Sequence, residues 1–168
     1  MPNMPEKEGK LMPALTSGMT SSLTDNWPTP SYVFDRLNDE FHFTLDVCAD
    51  DLNHKCDRYF TKEIDGLAQE WTGTCWMNPP YGRTIGQWVK KAYDAARGGA
   101  VVVCLLPART DTRWWRDYVM CASELRFISG RVKFGNANTG APFPSVVAIF
   151  GTPTSPRIIQ TSFEEVRA

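Results

Sequence analysis

The order of apolar segments predicts an α/β domain built on a mostly parallel sheet, with an antiparallel hairpin at its C-terminal end. Three observations carry that expectation. Residues 100–106 form an unbroken apolar run stopped by Pro107, the pattern of a strand buried on both faces. Residues 84–97 just before it place Ile85, Trp88, Val89, Ala92, Tyr93 and Ala96 on one helical face. The short apolar run 74–77 precedes that helix, and a second helical segment, 111–122, leads into a further strand at 125–128. Strand, helix, buried strand, helix, strand is the grammar of an open parallel sheet.

The remaining elements follow in chain order. Residues 1–24 are rich in Pro, Ser, Thr, Gly and Met without periodicity, so a disordered arm is expected there and a single domain over 25–168. Thr29-Pro30 reads as an N-cap followed by proline at the first helical position, opening a helix whose apolar face is Val33, Phe34, Leu37 and Phe41. Residues 43–47 read as a short strand, and 50–72 as irregular chain with a possible short strand at Arg58-Tyr59-Phe60. Gly98-Gly99 ends the helix of 84–97. Residues 131–134 and 145–150 are expected to pair as the closing hairpin.

The 168-residue chain has a net charge of −1 that hides an asymmetry. Residues 1–82 carry 6 Lys/Arg against 13 Asp/Glu, and residues 83–133 carry 10 against 4. A basic middle segment suits contact with a polyanion and an acidic first part suits a cationic cofactor, although such asymmetry is also common on plain solvated surfaces. The five cysteines are an odd number without framework spacing, which points to reduced thiols in a cytoplasm. Cys48, His54 and Cys56 match no common zinc spacing, so no metal is expected. The run 100–106 is too short to span a bilayer and the N-terminus lacks the apolar core of a secretory signal, so no membrane association is expected either.

The chemistry concentrates at Asn78-Pro79-Pro80-Tyr81, which follows the strand 74–77. Asn78 offers a side-chain carbonyl as acceptor. Pro80 keeps Pro79 out of the helical region, so the Pro79 carbonyl can point into a cleft. Two acceptors converging on a planar NH2 group would engage both its protons and free its lone pair for attack. Tyr81 supplies a flat face for a base. The alternative is a strand end closed by a Pro-Pro turn with an incidental aromatic. In open α/β sheets, however, ligands bind beyond the carboxyl ends of the strands, and both this turn and Asp46 stand at such ends.

This arrangement resembles the phage-type DNA N6-adenine methyltransferases of the Dam family. The stretches that carry the resemblance are Trp27-Pro28-Thr29-Pro30, 43–49, Tyr59-Phe60-Thr61, Asp65-Gly66-Leu67, Trp71, 78–81, 106–112, Trp114-Trp115 and 130–134, in family order over about 27–150. The resemblance implies a Rossmann-like fold and S-adenosylmethionine as methyl donor. It puts Thr29 and Pro30 at the methionine end of the cofactor, Asp46, Cys48 and Ala49 at the cofactor-binding first strand and loop, and Asp65 and Leu67 at the cofactor adenine. Asn78, Pro79, Pro80 and Tyr81 become the catalytic motif, and Phe134 an aromatic wall for the target base. The first-strand loop departs from the family's glycine-rich form, and the residue that holds the ribose is left between Asp57 and Glu63.

Read physically, Asp46 suits the cofactor ammonium and Asp65 its adenine amine, although each could instead be an ordinary loop aspartate. Trp114 and Trp115, flanked by Arg113 and Arg116, could form a nucleic-acid surface, but adjacent helical positions face different ways, so one tryptophan should be core. Arg109, Arg113, Arg116 and Arg131 are the candidate phosphate-binding residues for a DNA substrate, and Tyr81 with Phe134 would sandwich a flipped adenine. The histidines, His42 and His54, lie outside every motif. The alternatives kept open are methylation of cytosine N4 or of a protein glutamine, and a catalytically silent nucleic-acid-binding module. The target sequence and oligomeric state are not legible, a monomer being compatible with the sequence. A phage or prophage origin would put the protein in the cytoplasm of a bacterial host.

Overall fold

A computed structural model describes residues 25–163, so the arm expected at 1–24 lies outside the described residues. Its six strands are β1 (Leu45–Asp46), β2 (Thr74–Met77), β3 (Val101–Pro107), β4 (Glu124–Ile128), β5 (Ser145–Phe150) and β6 (Arg157–Thr161). Its helices are α1 (Ser31–Phe41), α2 (Ile85–Arg97) and α3 (Arg113–Asp117), the last followed by a 3-10 turn at Val119–Cys121. The strands form one sheet in the order β1-β2-β3-β5-β4-β6. Only β5 runs against its neighbours; β1, β2 and β3 are mutually parallel, as are β4 and β6.

Register fixes which side chains share a face, because directly paired residues point the same way. Trp76 pairs with Val103, Val103 with Ile149, and Leu105 with Val147, which in turn pairs with Arg126. These residues therefore share a face, and α1 covers it. Phe34 meets Trp76 edge-on at 5.5 Å, and Glu40 bonds Arg126. The opposite face carries the other helices, with Trp115 against Phe127 at 6.3 Å and Ala96 of α2 close to Gly151 just past β5. β3 and β5, covered on both sides, are almost wholly buried, which is why they read as continuous apolar runs.

Several expectations hold closely and others shift. β2 matches its expected range, and α2 begins one residue late and ends at the Gly98-Gly99 pair, where Gly99 takes a φ of +105° that other residues adopt at a cost. The helix expected at 111–122 breaks into α3 and the 3-10 turn, with Thr112 as the N-cap accepting from the Trp115 amide. The segment 58–60 forms a parallel bridge from Tyr59 to Asp46 at the outer edge of β1. The expected hairpin is corrected: β5 is antiparallel, but it lies between β3 and β4, and 131–134 joins no strand. Between 131–134 and the chain leading into β5, one backbone bond, Ala141 to the Val132 carbonyl, replaces the anticipated ladder. β6, exposed along nearly its whole length, had no apolar alternation to reveal it.

The N-cap expectation moves by one residue. Pro30 takes the cap position of α1 in extended geometry, and the Thr29 hydroxyl is used elsewhere.

Candidate active site

The site lies where β1 and β2 end side by side, since parallel neighbours deliver their carboxyl ends to the same edge. A cleft of about 730 Å³ opens there, within the usual size range for small-molecule and cofactor sites. Its walls come from the segment 25–29, the end of β1 with the loop after it, residues 60–66, and the turn 78–80.

Asn78 is the chemical centre of one wall. Its Nδ2 donates to the Trp27 carbonyl at 2.6 Å and to the Thr29 Oγ1 at 2.9 Å. Its Oδ1 is buried and accepts no hydrogen bond. The carbonyl of Trp27 can only accept, so the amide cannot be turned around without setting two oxygens against each other. An unpaired buried acceptor costs about 1–3 kcal/mol and is rare in a folded protein. The Pro79 carbonyl, beside it, accepts no hydrogen bond among the described residues. Two carbonyl acceptors in this wall thus lack donors.

Tyr81 departs from its expected role. It is 4% exposed, its hydroxyl donates to the Leu105 carbonyl at 3.0 Å, and its amide donates to the Asp25 carbonyl at 2.8 Å. Burial first, then the neighbouring Cys104, pushes its phenol well above the ordinary range, so it stays a neutral donor. Its ring stands at 87° to Phe134 with centroids 6.0 Å apart. Two rings in perpendicular contact leave no slot between them, so the sandwich expected of Tyr81 and Phe134 is not formed in this structure. Phe134 is itself 4% exposed within a cluster of Trp27, Tyr81 and Phe143. Of these four rings, only Trp27 lines the cleft. A Cβ at Gly82 would come within 2.1 Å of Asp25 Oδ2, so the Asp25 carboxylate packs directly over this glycine.

On the strand beside the turn, Asp46 is 3% exposed at the end of β1. Its carboxylate accepts from the backbone amides of Cys48 at 3.3 Å and Lys55 at 3.0 Å. Desolvation raises its pKa, and those two bonds only partly offset the effect. A carboxylate held in that state gains from a cation. Cys48 lines the same wall as a neutral thiol, pushed up to about 12 by burial and then by Asp46. Asp65 adopts a positive φ of 58° and caps its own turn by accepting from the Leu67 amide at 3.2 Å.

The cleft brings together Thr29, Asp46, Cys48, Ala49, Asp65, Asn78, Pro79 and Pro80. Pro30 is buried behind it, and Leu67 is replaced at the wall by Gly66. Of the two acidic candidates for a ribose, Glu63 lines the cleft and Asp57 does not. Sequence reasoning missed Lys55 at the wall, because it sits in a loop whose path no periodicity announces; for Trp27, Phe60 and Thr61, given no role there, the signal was their place in the Trp-Pro-Thr-Pro and Tyr-Phe-Thr stretches. His54 is engaged locally, its Nδ1 2.9 Å from the Cys56 carbonyl and its ring stacked on Tyr59. Among the described residues no three His, Cys, Asp or Glu side chains gather as a metal site would need.

The four candidate arginines lie outside the cleft and are exposed. Arg109 stands just past β3, on the strand next to β2, while Arg113 and Arg116 belong to α3 and Arg131 to the loop after β4. Arg116 bonds Asp117 at 2.7 Å. Of the tryptophan pair, Trp115 is core and Trp114 partly exposed, as the helical spacing required. A further polar cluster was not foreseen. Buried Arg126 bonds Glu124 and forks onto Glu40 at 2.6 Å through each terminal nitrogen, and Arg157 reaches Glu124 from β6.

A cleft at the carboxyl edge of a largely parallel sheet, lined by two carbonyl acceptors without donors and by a desolvated carboxylate, has the groups that a planar amine and a cationic cofactor would need. The chain belongs to the DNA N-6-adenine-methyltransferase (Dam) family, whose model matches residues 16–164. It is 34% identical over 128 residues to the DNA N-6-adenine-methyltransferase of Haemophilus phage HP1 (strain HP1c1), an alignment covering 74% of each chain. It is 28% identical over 137 residues to the enzyme of that name from Escherichia phage T1, covering 71% of this chain and 57% of the relative. A putative methyltransferase of Escherichia coli (strain K12) is 38% identical over 65 residues, 34% of this chain and 71% of the relative.

Proposed function

We propose that this enzyme transfers a methyl group from S-adenosylmethionine to the N6 amine of adenine in DNA, with Asn78 and the Pro79 carbonyl as the groups that hold the amine. The observation that carries this reading is the buried, unpartnered Oδ1 of Asn78. An acceptor left empty at that cost waits for a donor, and a planar NH2 has two protons to give.

The residues fit the donor molecule that a methyltransferase of this family implies. S-adenosylmethionine supplies an electrophilic sulfonium methyl group. Asp46 is the residue for its ammonium, because a desolvated carboxylate at a strand end still has lone pairs to offer beyond its bonds to the Cys48 and Lys55 amides. Cys48 and Ala49 line that end of the cleft, and Asp65 and Glu63 the other acidic positions where adenine amine and ribose hydroxyls would bond. A Rossmann-like reading of the sheet agrees with this arrangement, since β1 and β2 are adjacent and parallel with the cleft at their carboxyl ends.

Asn78 and Pro79 orient the amine, drawing its protons aside so that the nitrogen lone pair faces the methyl group. The nitrogen–methyl bond would form as the methyl–sulfur bond breaks, the donor would leave as a neutral thioether, and the surplus amine proton would pass to water, so no side chain at the cleft needs to become charged. The contribution is positioning, for which well-oriented intramolecular reactions give up to ~7–11 kcal/mol. The target adenine must leave its stack to reach Asn78. Trp27, the ring of the aromatic cluster that lines the cleft, is the stacking platform, and the exposed Arg109, Arg113, Arg116 and Arg131 are the phosphate-binding groups.

Incubation with labelled S-adenosylmethionine and mixed-sequence DNA, followed by nucleoside analysis, tests the reading. Label in N6-methyladenine supports it. Label in N4-methylcytosine, or only in protein glutamine, overturns the substrate, and absence of transfer with intact cofactor binding indicates a silent binding module.

A further inference from the structure

We propose that Thr29 is a positioning residue that fixes the Asn78 carboxamide with its oxygen toward the cleft, a role distinct from holding the cofactor. The inference rests on the reading of Asn78 given above. Thr29 is 7% exposed, and its Oγ1 lies 2.9 Å from Asn78 Nδ2. Together with the Trp27 carbonyl at 2.6 Å, it takes both protons of that amide. With both donors engaged on one side, the carboxamide has no rotational freedom, and Oδ1 is held bare and buried on the other.

The two anchors do different work. The Trp27 carbonyl sets the sense of the amide, because only a donor can face it. The Thr29 hydroxyl fixes the second proton and so the tilt of the amide plane, on which the direction of the Oδ1 lone pairs depends. As an acceptor from Asn78, the hydroxyl keeps its own proton free to donate, and Thr29 lines the cleft. A single hydroxyl therefore links the catalytic amide to whatever acceptor the cleft receives. The segment is itself fastened to its surroundings, with Tyr81 amide bonded to the Asp25 carbonyl at 2.8 Å and Gly135 amide to the Pro28 carbonyl at 2.8 Å. The clamp is thus a built part of the site, brought to Asn78 across a sequence separation of 49 residues.

The test compares Thr29→Val, which keeps the shape and removes the hydroxyl, with Thr29→Ser, which keeps the hydroxyl. Losing one neutral hydrogen bond and the orientation it sets should lower single-turnover methyl transfer about five- to thirtyfold in Thr29→Val. S-adenosylmethionine affinity by calorimetry should stay within about threefold, and Thr29→Ser should recover most of the rate. The side-chain NH2 resonances of Asn78, read by nitrogen-15 NMR without any turnover, should lose the protection of one proton in Thr29→Val alone. If the NMR signature is unchanged, or cofactor affinity falls as far as the rate while the amide stays locked, Thr29 is not the clamp. If the amide loosens and the rate does not change, the clamp stands and the catalytic reading of Asn78 is what fails.

Discussion

Replacing Asn78 by Ala separates catalysis from folding and cofactor binding, because the three rest on different atoms. Oδ1 has no partner in the folded protein, so its removal costs the fold nothing. Nδ2 has two, and its loss leaves the Trp27 carbonyl unpaired, a cost of about 1–3 kcal/mol in stability. The carboxylate of Asp46 and its two backbone donors stand on β1 and its loop and do not touch Asn78, so S-adenosylmethionine affinity should hold within about threefold. The reacting amine loses an acceptor aimed where its protons are drawn aside, and removal of one preorganised group of that kind typically lowers turnover about 10²–10³-fold. Urea unfolding, calorimetry with the cofactor, and single-turnover transfer of labelled methyl to DNA read the three quantities. A variant that unfolds at lower urea yet methylates within about threefold of wild type would refute the assignment, since the amide would then be a structural clamp only.

Asp46→Ala should weaken S-adenosylmethionine at least about tenfold, since a charge-assisted bond is worth ~1.5–3 kcal/mol; unchanged calorimetric affinity in a folded variant removes Asp46 from the site. Because burial holds the Asp46 pKa above its ordinary 3.8, the wild-type affinity should be flat near neutrality and decline as pH falls through that raised value, and Asp46→Asn should lose this limb. The quadruple variant Arg109→Ala, Arg113→Ala, Arg116→Ala, Arg131→Ala should bind any duplex more weakly, with the salt slope reduced by ~0.9 for each phosphate no longer neutralised; Arg116, already on Asp117, should contribute least. Anisotropy titrations at several salt concentrations decide it, and an unchanged slope puts the DNA elsewhere. Arg126→Met should destabilise the fold by about 1–3 kcal/mol, because Glu124, whose side chain is 5% exposed, loses one of its two cationic partners and keeps Arg157. Burial alone would raise Glu124, but its bonds to Arg126 and Arg157 hold it below the ordinary 4.5; its stabilising contribution is therefore present above that value and lost as pH falls through the lower folded one, and urea midpoints of Arg126→Met, in which Arg157 alone still bonds Glu124, should show a weaker acid dependence.

The elements with strong periodicity were legible in the sequence, and those shaped by long-range contacts were not. β2, α2 and β3 announce themselves because burial on one or both faces writes a period or an unbroken run into the chain. The parallel sheet with its cleft at the strand ends followed from their order. The partner of β5 did not, since an antiparallel strand inserted between β3 and β4 has the same composition as one closing a local hairpin. β6 had no apolar face to betray it, and the Glu40–Arg126–Glu124–Arg157 cluster joins residues that no spacing rule connects. The place of Asn78 and Asp46 in the cleft was readable because both stand at the carboxyl ends of strands. The edge-on packing of Tyr81 with Phe134 was not, because which side of a ring is covered depends on Trp27 and Phe143 arriving from elsewhere in the chain.

That dependence explains why the Trp-Pro-Thr-Pro stretch belongs with the catalytic turn although some fifty residues separate them. Within five residues, the segment 25–29 gives carbonyls to the Tyr81 amide, the Asn78 side chain and the Gly135 amide, and a hydroxyl to Asn78. The bonds to Tyr81 and Asn78 satisfy groups that a Pro-Pro turn cannot satisfy by itself, because the prolines permit no helical ladder, and the bond to Gly135 ties the segment to the loop after β4. The turn is shaped so that its carbonyls stay free for a substrate, and that same shape leaves its donors in need of an outside partner. The N-terminal segment is that partner. It completes the donors of the turn and leaves the acceptors Asn78 Oδ1 and the Pro79 carbonyl without donors, the asymmetry on which the proposed amine-holding role rests.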